Sequence, residues 1–144
     1  MNLLKAPLTN KDFVQNLIPQ KYPFVMVDKL FYFSENKLVS GFSPSNDNIF
    51  SFQSFFTTSG LIENMAQTVA LFTGYQYYLK NEEAPTGYIG AIKKVEIIEL
   101  PEVGEELVTT VNILHEIMGV TLVNSKVECN GKIIASSEMK TVLA

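Results

Sequence analysis

Glu63 and Gln67 lie four residues apart in TTSGLIENMAQTVALFTGYQYYL, the stretch from Thr57 to Leu79. On a helix that spacing puts a carboxylate and an amide on one face. Leu61, Met65, Val69 and Phe72 recur at helical spacing, and Ile62, Ala66, Ala70 and Leu71 are apolar as well. A helix apolar on nearly all sides is either enclosed by protein or inserted in lipid. A carboxylate is costly in lipid, so the expectation is a helix wrapped by protein, with no membrane span. Near the start of such a helix, Glu63 would feel the positive end of the helix dipole and lack bulk water. A carboxylate so placed can move protons. A satisfied polar pair or a subunit contact is the plainer reading of the same two residues. Other reactive groups are few. His115 is the only histidine and stands in an alternating strand, where a structural role is expected. Asp28 sits among apolar neighbours beside Lys29 and reads as a turn or edge carboxylate.

Several elements must position this helix. Thr9–Ile18 predicts a short helix capped by Thr9, with Leu8 and Phe13 as its hydrophobic staple and Pro19 as its stop. FVMVDKLFYFSENKLVSGFSP, starting at Phe24, predicts two strands joined by a turn over Ser34–Lys37. Ser43–Ser59 is polar and then aromatic. Its Phe50, Phe52, Phe55 and Phe56 either pack under the helix or line an acyl tunnel, and packing is the simpler expectation. After the helix come strands over Tyr88–Leu100, Glu105–Ile117, Val120–Asn130 and Lys132–Val142. Met118-Gly119 and Asn130-Gly131 are read as the turns between the last three. Leu107, Thr109, Val111, Ile113 and His115 fall on one face by alternation, as do Val123, Val127 and Cys129. The sum is one α+β domain over residues 1–144, a long antiparallel sheet curled around a central helix: the hot-dog arrangement. Such a sheet leaves an edge that pairing with a second copy would cover.

Composition narrows the function. The chain is 47% hydrophobic with a net charge of −4, which argues for a subunit interface and against a nucleic-acid partner. All 11 basic residues are lysines, so bidentate guanidinium recognition is absent. One cysteine and one histidine provide no metal-binding motif and no intrachain disulfide. The N-terminus lacks the pattern of a signal peptide, and a cytoplasmic location is expected.

Leu17-Ile18-Pro19-Gln20-Lys21-Tyr22-Pro23-Phe24 and the residues that follow to Lys29 resemble the LPHRYPFLLVDR segment of the 3-hydroxyacyl-[acyl-carrier-protein] dehydratases. Glu63-Asn64-Met65-Ala66-Gln67 resembles their EAMAQ helix motif. GLIENMAQTVALFTGYQ and TGYIGAIKKVEI are similar to the predicted dehydratases of aryl-polyene and related pigment gene clusters. The resemblance covers most of the chain, in order. It implies loss of water from a 3-hydroxyacyl thioester, which needs a base for the C2 proton, an acid for the leaving hydroxyl and a donor to the thioester oxygen. In that family a loop histidine and a helix carboxylate handle the protons, and a backbone amide at the helix start polarises the thioester. Carried over, Glu63 is the carboxylate, with Gln67 orienting it or facing another subunit. The amide lies near Gly60, where the lack of a side chain would let substrate approach. Phe52, Phe55, Phe56 and Tyr22 are the implied acyl contacts. The departures are that Gln53 stands where the loop histidine belongs and Gln20 replaces the histidine of the first motif. Glutamine cannot act as a base near neutral pH.

No redox cofactor or metal is implied, since the substrate rides on the phosphopantetheine of an acyl carrier protein. Lys93 and Lys94 are candidate carrier contacts, although paired surface lysines usually face water. Three readings stay open: a dehydratase in which Glu63 works alone, a dehydratase-like subunit paired with a histidine-bearing hot-dog partner, and a hot-dog acyl thioesterase. Homodimer and heterodimer are both compatible with the sequence.

Overall fold

The computed structural model describes residues 1–144. The chain runs α1 (Lys11–Gln15), β1 (Lys29–Phe33), β2 (Lys37–Phe42), β3 (Ser51–Phe52), β4 (Phe55–Phe56), α2 (Thr58–Leu79), β5 (Gly87–Ile97), β6 (Leu107–Ile117), β7 (Val120–Cys129) and β8 (Lys132–Leu143). Six strands form one antiparallel sheet in the order β1-β2-β6-β7-β8-β5, and β3 and β4 make a separate small hairpin. The 22-residue helix α2 packs on the sheet and splits the core into two clusters. Leu61, Met65 and Val69 pack with Val111, Val123, Val127 and Met139. Leu71, Phe72 and Tyr75 pack with Val14, Leu30, Phe33 and Leu38. This is the expected hot-dog fold.

The two hairpin turns fall where expected. Met118-Gly119 has φ of 52° and 80°, and Asn130-Gly131 has φ of 53° and 77°. Two successive positive φ values suit the right-handed twist of the flanking strands.

Three local expectations are corrected. Helix α1 is shorter than Thr9–Ile18, and Asn10 caps it: its side-chain oxygen accepts from the Phe13 N–H at 3.1 Å. With Asn10 as the cap, Leu8 no longer stands just before it, and its backbone pairs with Leu30 on the outer edge of β1. The first strand starts at Lys29, not Phe24. Phe24–Met26 is instead a strap whose main-chain groups bond to side chains of α2. In β6 a bulge between Ile113 and His115 breaks the alternation. His115 therefore leaves the buried face of Leu107, Thr109 and Val111 and is exposed.

The sheet has two edges. The N-terminal segment lies along β1 through Leu3 and Leu8. The outer edge of β5 has no neighbour, and Tyr88, Ile89, Ile92 and Val95 on it are exposed.

Candidate functional site

Glu63 lies in the second turn of α2, half-buried. One of its oxygens, Oε2, accepts from Gln67 Nε2 at 2.7 Å. The same Nε2 donates to the Phe24 carbonyl at 2.7 Å, and Gln67 Oε1 accepts from the Met26 N–H at 2.6 Å. The strap thus fixes which way round the Gln67 amide sits. Its oxygen is taken by Met26, so only N–H groups face Glu63. A proton carried by Glu63 cannot point at a group that only donates. The other oxygen, Oε1, takes no hydrogen bond from the chain.

Asn64 ties the strap down from the neighbouring position. Its Nδ2 donates to the Met26 carbonyl at 2.8 Å, and its Oδ1 accepts from Thr109 Oγ1 at 2.6 Å. Thr68 donates to the Asn64 carbonyl and shares a hydrogen bond with Ser40. Asn64, Gln67, Thr68, Ser40 and Thr109 are all buried, and each is satisfied, as a buried polar network must be if it is to rigidify its surroundings.

The carboxylate borders a cavity of about 140 Å³. Glu63, Ala66, Ala70 and Thr73 line its helix side. They follow one another three or four residues apart, so they form a single stripe, and all four are half-buried. The two alanines leave room beside the helix. Leu17 and Gln20 close one wall, Tyr88 and Ile89 of β5 another. The Leu17 carbonyl lies so close to Gly74 that a side chain there would overlap it. For comparison, an engineered apolar cavity of about 150 Å³ holds benzene, so this space suits a short apolar segment.

The other expected site residues are spread more widely. Gln53 and Ser54 form the tip of the β3–β4 hairpin, with φ of 50° and 69°, and Gln53 is exposed. Phe52 is 66% exposed, Phe55 42% and Tyr22 92%, and none of them borders the cavity. Phe56 is fully buried and packs at a tilt against Phe42 with ring centres 5.7 Å apart. Packing under the helix therefore holds for Phe56, and for Phe50 beside it, but not for Phe52 or Phe55. Gly60 is corrected in its reason. A Cβ there would meet the Phe56 ring at 2.5 Å and Phe50 Cβ at 2.9 Å, so the missing side chain makes room for the phenylalanines. Asp28 pairs with Lys29 at 2.9 Å, and Lys29 also reaches Glu106 at 3.1 Å. Lys94 pairs with Glu138 at 3.0 Å on the outer face. Cys129 is buried, and burial first, then Glu105 beside it, pushes its thiol up to about 11.

Ala70 and Thr73 of the stripe, and Tyr88 and Ile89 of β5, are cavity residues that the sequence reading did not assign to a site. Small residues at Ala66 and Ala70, in step with Glu63, were the signal available for the stripe.

Sheet, wrapped helix and strap-held carboxylate define a hot-dog dehydratase-like protein. The family model of the ApeP-like proteins, described as ApeP dehydratase, matches residues 13–144, and the chain belongs to that family. The 3-hydroxyacyl-[acyl-carrier-protein] dehydratase FabZ of Aliivibrio fischeri is 27% identical over 133 residues, covering 88% of each chain. That of Ruminiclostridium cellulolyticum is 27% identical over 139 residues, covering 92% of this chain and 95% of its own. Among solved structures, a chain of the dehydratase heterocomplex ApeI:P from Xenorhabdus doucetiae superposes with a TM-score of 0.84 at 19% identity, covering 91% and 90% of the two chains. Together these make the chain a 3-hydroxyacyl-[acyl-carrier-protein] dehydratase-like protein. No helix is long and apolar enough to cross a membrane.

Proposed function

We propose that the chain binds a 3-hydroxyacyl thioester, delivered on the phosphopantetheine arm of an acyl carrier protein, in the cavity beside α2. Glu63 moves a proton as water is lost. In that reaction the C2–H and C3–O bonds break and a C2–C3 double bond forms; the C2 proton passes to a base, and the hydroxyl departs as water with a proton delivered by an acid. The observation that carries the reading is the Glu63–Gln67 bond of 2.7 Å beside an apolar cavity. It holds one carboxylate oxygen and leaves the other to exchange protons.

The thioester oxygen is taken by amides at the head of α2. Thr57 makes no side-chain cap there, since its hydroxyl donates to the Phe50 carbonyl at 2.7 Å. The first-turn N–H groups are left for an oxygen on which charge develops.

The second proton-handling group comes from another hot-dog chain. Gln53 has no basic nitrogen, and His115 is exposed on β6 beyond its bulge. The partner seats on the open edge of β5, whose outward apolar residues a lone chain leaves in water. That the similar Xenorhabdus doucetiae structure is a heterocomplex supports this pairing.

The test follows enoyl absorbance and free thiol with a 3-hydroxyacyl pantetheine thioester, for the chain alone and with a histidine-bearing hot-dog partner. Enoyl product is expected from the pair, falling about a hundredfold or more in Glu63→Gln. Free thiol without enoyl product would make it a thioesterase. Full activity of the pair with Glu63→Gln would reduce this chain to a scaffold.

A further inference from the structure

We infer that Thr73 decides how long an acyl chain this site accepts, because it stands between the cavity beside Glu63 and a second cavity that receives the far end of a long chain; this rests on the first cavity being the acyl site proposed above. The second cavity has a volume of about 120 Å³, close to that of the first. Four residues border both: Val69 and Thr73 on α2, and Thr141 and Leu143 on β8. Residues shared by two cavities lie on their common boundary, so the two spaces meet between α2 and the end of β8. Val69 is buried in the core, whereas Thr73 is half-buried. Thr73 is therefore the helix side chain that a ligand crossing this boundary meets.

The second space has a cause in the sheet. Strand β6 bulges between Ile113 and His115, and a bulge bends its strand and breaks the inward alternation. Neither core cluster takes in a residue of β6 beyond Ile113, and Leu114 to Ile117 are exposed. The cavity lies at this end of the molecule, lined by Phe72 of α2, Ile113 of β6 and Thr121 of β7 among others. Lys80 and Glu116 also border it, and both are exposed. It thus opens to water beside them, and a chain that fills it ends at the surface. No residue of β5 lines it. A partner seated on the β5 edge reaches the first cavity, whose wall includes Tyr88 and Ile89, and leaves the second to this chain alone.

The position of Thr73 sets a length. It follows Glu63 by ten residues, about 15 Å along a helix. An extended chain advances roughly 1.2 Å per bond, so about 12 bonds separate the reacting carbons from Thr73. Shorter acyl chains end inside the first cavity. Longer ones pass Thr73 and bury further methylenes beside Phe72 and Ile113, which raises affinity. A larger side chain at residue 73 closes the boundary and removes that gain without touching the place where a short chain lies.

The experiment measures equilibrium binding of unreactive 3-hydroxyacyl pantetheine amides of about 8 and about 18 carbons, one on each side of that length. Both are titrated into the chain with its hot-dog partner, as wild type, Thr73→Ala, Thr73→Leu and Thr121→Leu. The last fills the second cavity from β7, independently of the helix. Wild type and Thr73→Ala are expected to bind the long chain about tenfold or more tighter than the short one. Thr73→Leu and Thr121→Leu are expected to lose that advantage and to hold the short chain within about twofold of wild type. Equal binding of both lengths by wild type, an advantage that survives in either leucine variant, or loss of both lengths alike in both of them would each overturn the role of Thr73 and leave the acyl site standing. If neither length binds wild type, the acyl-site reading fails and the role of Thr73 with it.

Discussion

Gln67 does two jobs that one substitution can separate. It accepts from Met26 and donates to Glu63. In Gln67→Glu the acceptor to Met26 is kept, but the donor to Glu63 and to the Phe24 carbonyl is replaced by a second carboxylate. Turnover of the pair is expected to fall about tenfold or more while KM moves little, and the Met26 amide stays protected from hydrogen exchange. Gln67→Leu removes these bonds and the one to the Phe24 carbonyl, and is expected to cost about 2–4 kcal/mol by urea denaturation, because the Met26 N–H is left buried and unpaired. His115 is the contrasting case: exposed and away from the cavity, its change to Ala is expected to leave turnover within about twofold. Cys129 is buried, and its thiol, up to about 11, ionises little below that pH. Alkylation of the native protein at pH 8 is expected to be slow and to become rapid on unfolding. If unfolding leaves the rate unchanged, the thiol is not enclosed as described.

At the scale of elements, the strap Phe24–Met26 is what α2 holds in place of a strand partner. Its sequence, rich in β-branched and aromatic residues, would suit a strand. The carbonyls of Phe24 and Met26 and the N–H of Met26 nevertheless go to Gln67 and Asn64. The helix therefore imposes the path of the strap, and the strap in turn imposes the orientation of the glutamine beside Glu63. The start of α2 depends on close packing as well. Gly60→Ala is expected to lower stability by about 1–3 kcal/mol in urea denaturation, because the buried Phe56 ring must move.

For the whole molecule, the open edge of β5 is the feature that a single chain leaves unresolved. Its strand carries apolar side chains at Tyr88, Ile89, Ile92 and Val95, each more than a third exposed. Such an edge invites pairing with another sheet. Sedimentation velocity is expected to find the wild-type chain paired, and Ile92→Lys combined with Val95→Lys as a single chain of 16.1 kDa. A wild type that stays monomeric, alone and with a hot-dog partner, would refute the pairing through β5.

Local chemistry, and the resemblance it carried, was enough to predict the central helix, its Glu63–Gln67 face, the strand count after it and the two tight turns. Helical spacing, period-two alternation and the positive-φ demand of Asn130-Gly131 act over a few residues, so they can be read from neighbours in the chain. The resemblance extended this reading to the dehydratase-like class. What only the tertiary structure decided were meetings between distant segments. Nothing in FVMVD says that side chains forty residues later will take its hydrogen bonds, and alternation alone cannot foresee the bulge that turns His115 outward. Whether Phe52 or Phe56 goes inward depends on the two-residue turn at Gln53-Ser54, and the close seat of the Leu17 carbonyl on Gly74 joins segments more than fifty residues apart. Burial and hydrogen-bond satisfaction belong to the assembled surfaces, and that is why these features waited for three dimensions.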